Sequence, residues 1–75
     1  MNGGGPWEVA LFVSVNHALR AEKILKGEGI DTKLIPVPRQ ISTECGVCLR
    51  FPPSVRSRLE AALAGKIGIV AICPL

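Results

Sequence analysis

The alternation of apolar and polar residues along the chain predicts four β-strands. Residues 8–15 carry apolar side chains on both faces of an extended chain, which is typical of a central strand. Shorter apolar runs bounded by Gly, Pro and polar residues predict three further strands, at residues 32–37, 46–51 and 67–72. In the third strand, alternation places Val47, Leu49 and Phe51 on one face and Cys48 and Arg50 on the other.

Two segments between these strands repeat apolar residues at the spacing of an α-helix. Asn16 is placed to cap the first helix, and Gly27 ends it. Pro52 and Pro53 open the second helix, where a missing N–H is tolerated, and Gly65 stops it. The predicted inward positions are Ala18, Ala21, Ile24 and Leu25 in the first helix and Val55, Leu59, Ala62 and Leu63 in the second.

The resulting order β-α-β-β-α-β predicts an α+β fold of the ferredoxin-like, split βαβ type. We expect a four-stranded antiparallel sheet with both helices on one face, and with the first and third strands at its centre. The other face then carries Cys48 in an accessible position.

The last strand lies at an edge and has no internal charge, so that a homodimer is plausible. Residues 7–75 are expected to form one domain behind a flexible leader at 1–6.

Composition narrows the classes of partner. The net charge of +3 rests on nine basic residues scattered along 75, which indicates a mild preference for anionic partners. No apolar run approaches the roughly 18 residues of a membrane span, and the start lacks the pattern of a signal peptide, so that we expect a cytoplasmic protein without a membrane partner. With one Trp, two Phe and no Tyr, base stacking on the sheet is poorly supported, and no nucleic-acid partner is expected.

The loop between the second and third strands holds the unusual chemistry. Arg39 and Ser42 precede Cys45 and Gly46, where the third strand begins. A guanidinium and a helix N-terminus both stabilise thiolate over thiol, and the topology places the start of the first helix at the same end of the sheet. Gly46 adds room for a substrate or for an added sulfur atom. An ordinary polar loop, whose hydroxyls cap turns, remains the alternative interpretation.

His17 lies at the same predicted end and would serve as base or charge partner of the thiol. The alternative for His17 is a solvated histidine in the first turn of a helix.

The two cysteines at 45 and 48 form a C-x-x-C pattern. An extended segment of three residues spans about 10 Å, beyond the roughly 4.4 to 6.8 Å that a disulfide allows between Cα atoms. Cys48 would therefore act as a resolving thiol only if Cys45 folds back over the sheet. Cys73 follows the predicted last strand and is expected to be remote from both. Too few ligands remain for zinc in one chain, so that neither a metal nor a cofactor is expected.

Several short segments together resemble the selenium/sulfur carrier-like family of small bacterial and archaeal domains, which occur alone or fused behind a sulfur-relay domain. They are HALRAEKILK at 17–26, GID at 29–31, LIPVPR at 34–39, IS at 41–42 and CG at 45–46. The resemblance implies that Cys45 carries sulfur or selenium, as a persulfide or its selenium analogue, between donor and acceptor proteins.

The absence of an acid/base pair and of a cofactor motif beside the thiol favours a carrier over a turnover enzyme. In that interpretation, Arg39 and the helix start stabilise the anion and Ser42 donates a hydrogen bond. The alternative from another class is a regulatory or oligomerising module that binds an anionic metabolite at the same loop.

Overall fold

The computed structural model describes residues 7–39, 41 and 46–75, and its elements follow the predicted order. The predicted leader at 1–6 lies outside the described residues. The helices and strands are β1 (Glu8–Leu11), α1 (Val15–Gly27), β2 (Lys33–Pro36), β3 (Val47–Phe51), a 3-10 turn (Pro53–Val55), α2 (Arg56–Leu63) and β4 (Ala71–Pro74). Among the described residues, no helix has the length and apolar character needed to cross a membrane.

The four strands form one antiparallel sheet in the order β2-β3-β1-β4. Leu49 at its centre pairs with Ala10 on β1 and with Leu34 on β2, and Ala10 also pairs with Ile72 on β4. The predicted α+β, ferredoxin-like arrangement is confirmed, with β1 and β3 in the middle and β4 at an edge.

One face of the sheet packs against both helices and forms the main core. Leu49 and Phe51 are buried there and Val47 packs against them, which confirms the predicted direction of the β3 side chains. The predicted helix stripes also point inward. The buried members of this helix-side cluster are Ala10, Phe12, Ala18, Ala21, Leu25, Ile30, Leu49, Phe51, Leu59, Leu63 and Ile67.

The opposite face is also covered, and this corrects the prediction that Cys48 is accessible. Val9, Leu11 and Cys48 form a second buried cluster, and the Cys48 residue is 0% exposed within a single chain. Val37 and Ile41, from the segment after β2, pack against this cluster. The prediction is wrong because alternation along a strand identifies a face but does not reveal which distant segment folds over it. We call this group the loop-side cluster.

The junction between β1 and α1 differs from the prediction. The strand ends at Leu11, and Val13 is 69% exposed where the chain turns. Ser14, rather than Asn16, caps the helix, because its backbone is extended and its hydroxyl accepts a hydrogen bond from the His17 N–H at 3.3 Å.

The last strand is also shifted, to Ala71–Pro74 from the predicted 67–72. Ile67 is buried in the helix-side cluster, and its N–H donates to the Leu63 carbonyl in the turn after α2. Cys73 therefore lies within β4, where it pairs with Val9 and packs against the loop-side cluster. The prediction that Cys73 follows the last strand is wrong. Cys73 packs against the cluster that contains Cys48, and β1 lies between the strands that carry the two cysteines.

Candidate functional site

Two connections meet at one end of the sheet and form the candidate site. β1 runs antiparallel to β3, so that the end of β1 and the start of α1 lie beside the beginning of β3. Pro36, at the end of β2, pairs with Val47, at the start of β3. The β2–β3 loop therefore emerges at the end where α1 begins, as the topology predicted.

The loop is anchored at its base and again part-way along. The Val37 N–H donates to the Gly46 carbonyl at 3.2 Å, which extends the pairing of β2 with β3 by one step. The Ile41 N–H donates to the Pro38 carbonyl at 3.0 Å and so closes a turn. The side chains of Val37 and Ile41 then pack against the loop-side cluster. A loop held at these points has fewer conformations to lose when it binds a partner.

Arg39 lies within the turn from Pro38 to Ile41 and is exposed. Its guanidinium is thus presented to solvent from an anchored segment. Ser42 and Cys45, the two other central residues of the predicted site, lie outside the described residues, so that their geometry relative to Arg39 stays a prediction.

Gly46 is exposed at the base of the loop, directly after Cys45 in the chain. A Cβ atom placed on Gly46 would contact no atom of the described residues within 4 Å, its chain neighbours aside. The room for a substrate beside Gly46 stays a prediction. Packing of the described residues does not explain a glycine here.

His17 is fixed by Ser14 at the start of α1. The Ser14 Oγ lies 2.7 Å from His17 Nδ1 and also accepts from the His17 backbone N–H. When the Ser14 hydroxyl donates to Nδ1, the imidazole carries its proton on Nε2. The half-buried ring is therefore held by the helix cap, which sequence reasoning missed. The signal for it was available, because serine three residues before a helical polar residue is a common cap.

The described cysteines do not form a metal site. Cys48 is buried, and Cys73 is half-buried on the neighbouring part of the same face. Within residues 7–39, 41 and 46–75, no group of three or more His, Cys, Asp or Glu side chains is arranged to hold a metal ion.

The comparison with protein families identifies the family of this chain. The model of the family described as "Putative Se/S carrier protein-like" matches residues 8–73, nearly the whole chain. The chain belongs to this family. The resemblance seen in the sequence is thereby confirmed, and a Se/S carrier-like family implies interaction with sulfur or selenium transfer partners in general. The comparisons with curated proteins and with solved structures found no match.

Proposed function

We propose that this protein carries sulfur or selenium on the thiol of Cys45, in the loop before β3. The observation that carries the proposal is the family match over residues 8–73. Cys45 is selected among the three cysteines because Cys48 is buried and Cys73 lies in a strand of the sheet, whereas Cys45 adjoins the exposed Gly46.

The transfer is a displacement at sulfur. The Cys45 thiolate attacks the terminal sulfur of a donor persulfide, its electron pair forms the new S–S bond, and the old S–S bond leaves its electrons on the donor thiolate. Cys45 then bears a persulfide, which keeps the proton of the terminal sulfur. Delivery repeats the exchange, with an acceptor nucleophile attacking the terminal sulfur and Cys45 leaving as thiolate. The selenium analogue follows the same balance.

The described neighbours suit this chemistry. Arg39 is an exposed cation in the anchored part of the loop, and α1 begins at the same end of the sheet. Both would lower the pKa of the Cys45 thiol from its ordinary value of about 8.5. In the proposal, Ser42 donates a hydrogen bond to the anion, Gly46 leaves room for the donor, and His17 supplies a base or charge partner.

Cys48 takes a packing role in this proposal. Its side chain is buried between Val9 and Leu11 on the sheet and the loop residues above them. Because Cys48 is buried, we expect a disulfide with this thiol to require opening of that cluster. A mechanism in which Cys48 resolves the persulfide is therefore disfavoured, and mild oxidation followed by non-reducing peptide mapping tests this role.

The partners in this proposal are a donor and an acceptor of the chalcogen, with a second copy of the chain as a further candidate. β4 pairs only with β1 among the described strands, so that its outer edge offers backbone groups for pairing. If a homodimer forms through β4, the molar mass measured by light scattering should rise with protein concentration. A monomeric mass at high concentration would reject the homodimer.

The proposal is tested by competitive alkylation of the three thiols across pH, read by peptide mass spectrometry. Cys45 should react at lower pH than the others, and Arg39→Ala should shift its titration upward without unfolding the chain. Arg39→Lys is the matched control, since it keeps the charge but loses the forked hydrogen bonding. If Cys45 shows no enhanced reactivity near neutral pH, the carrier proposal is rejected, and the alternative of a module that binds an anionic metabolite at this loop is the one to test next.

A further inference from the structure

A shallow cleft of about 180 Å³ lies at the opposite end of the sheet from the Cys45 loop. It forms where β1 and β2 begin and β3 ends, and none of the roles assigned so far uses it. Its lining residues are Trp7, Asp31, Thr32, Lys33 and Arg50.

Two cations face each other in this cleft. Lys33 and Arg50 are cross-strand partners in the antiparallel pair of β2 and β3. Directly opposed side chains have Cβ atoms about 4.5–5.5 Å apart, and like charges in that arrangement are destabilising. Among the described residues, both ion pairs belong to Arg56, so that Asp31 neutralises neither cation by direct contact. An anion bound between Lys33 and Arg50 would relieve this repulsion.

Arg50 provides a second observation that favours an anion in this cleft. The Arg50 Nε atom is buried and has no hydrogen-bond partner among the described residues. Buried donors are nearly always satisfied in native proteins, and an absent ion is one of the usual reasons for an exception. The Arg50 guanidinium carbon lies 4.1 Å from the centroid of the Trp7 ring. Stacking on Trp7 occupies one face of the guanidinium, so that a ligand would bind through its in-plane N–H groups.

We propose that this cleft binds a phosphate group, either as free phosphate or on a small monoester. The planar guanidinium of Arg50 matches two phosphate oxygens, Lys33 adds a point charge, and the Thr32 hydroxyl supplies a further donor. The cleft is smaller than the roughly 300–1,000 Å³ of sites for drug-sized ligands, so that it suits one small charged group. Asp31 is exposed at the cleft and opposes the anion, which limits the affinity.

Trp7 gives a direct readout, because it is the single tryptophan of the chain and there is no tyrosine. The 75-residue chain is titrated with inorganic phosphate at constant ionic strength, with chloride as the compensating anion, while Trp7 emission is recorded. We expect a saturable change. Lys33→Gln should weaken binding roughly tenfold, since it removes a charge-assisted contact but keeps the Trp7–Arg50 stack. Asp31→Asn should tighten binding several-fold.

Lys23→Gln is the matched control, because Lys23 is exposed on α1, which covers the other face of the sheet. The Lys23→Gln variant should bind phosphate with the same affinity as the unmodified chain. Arg50→Gln breaks the stack and changes the emission by itself, so that binding in this variant is read from the phosphate-induced rise in the unfolding temperature by circular dichroism. That rise should be lost.

Glycerol phosphate, titrated in parallel, separates the two sources of the phosphate group. Binding of both ligands indicates recognition of the terminal phosphate on a small ester, and binding of inorganic phosphate alone indicates a free anion; each supports the proposal. The absence of a saturable change, or equal weakening in Lys33→Gln and Lys23→Gln, would overturn it. The outcome does not depend on Cys45, so that failure here leaves the carrier proposal standing.

Discussion

The two faces of the sheet are both apolar, but different parts of the chain cover them. On the helix side, α1 and α2 bury a broad cluster that contains no polar or charged residue among those described. On the loop side, Val9, Leu11 and Cys48 are buried beneath side chains from a loop and from the end of β4. Cys48 and Arg50 both lie on the loop side.

This difference predicts unequal contributions of the two faces to stability. The backbone of each helix is hydrogen-bonded internally, and both helices pack against one face of the sheet. The loop that packs against the other face is held by a few residues such as Val37 and Ile41. Local opening is easier for a segment with few buried apolar contacts. We therefore expect the helix side to supply most of the folding free energy and the loop side to open more easily.

The largest expected effect on stability lies on the helix side. Leu49→Ala removes a fully buried side chain at the centre of the sheet, between Ala10 and Leu34. We expect a loss of about 2–5 kcal/mol in the free energy of unfolding, measured by chemical denaturation, because the surrounding core cannot close the cavity fully. A loss below about 1 kcal/mol would remove the proposed contrast between the faces.

Substitution of Cys48 tests the contribution of the loop-side cluster to stability directly. Cys48→Ser buries a hydroxyl in an apolar cluster and should cost about 1–3 kcal/mol in the free energy of unfolding. Cys73→Ser is the matched control on the same face, and its smaller burial predicts a smaller loss. Equal, negligible losses in both variants would mean that water reaches this face in solution.

Substitutions at the start of α1, which belongs to the candidate site, should reduce the free energy of unfolding by less. Ser14→Ala removes the cap of the helix and the partner of His17, and should cost about 1 kcal/mol. Asn16→Ala is the control, because Asn16 is exposed and lies inside the helix. Thermal unfolding of the two variants distinguishes them. A larger loss for Asn16→Ala would contradict the assignment of the cap.

Gly46 should show the smallest effect on stability. A methyl group there meets no atom of the described residues, and the backbone φ is not positive, so that Gly46→Ala should change the free energy of unfolding by less than about 0.5 kcal/mol. Under the carrier proposal the same variant should slow sulfur transfer, because the methyl group occupies the space that a donor needs. Unchanged transfer kinetics would reject that role for Gly46.

Local patterns were sufficient to predict much of the fold. The period of two along β3 predicted which side chains face the helices, and the order of elements predicted the positions of β1, β3 and β4 in the sheet. The position of β4 along the chain was mispredicted because Ile67, a residue type with high β propensity, packs in the core after α2 instead of in the strand. Tertiary packing overrode local propensity there.

The features that the sequence did not reveal depend on contacts between distant segments. Cys48 is buried by residues that approach from the loop, and Lys33 opposes Arg50 only because of the register between β2 and β3. Periodicity within one strand contains no information on either. The family resemblance, by contrast, was readable from short segments of sequence and is confirmed over residues 8–73.

The central claim is that Cys45 carries the chalcogen, and the position of an added sulfur atom tests it most directly. The chain is incubated without oxygen with a cysteine desulfurase and cysteine, alkylated, digested and mapped by mass spectrometry. We predict one added sulfur on the peptide that contains Cys45, lost in Cys45→Ser and retained in Cys73→Ser. Sulfur that persists in Cys45→Ser, or no added sulfur on the unmodified chain beside an active desulfurase, would contradict the claim.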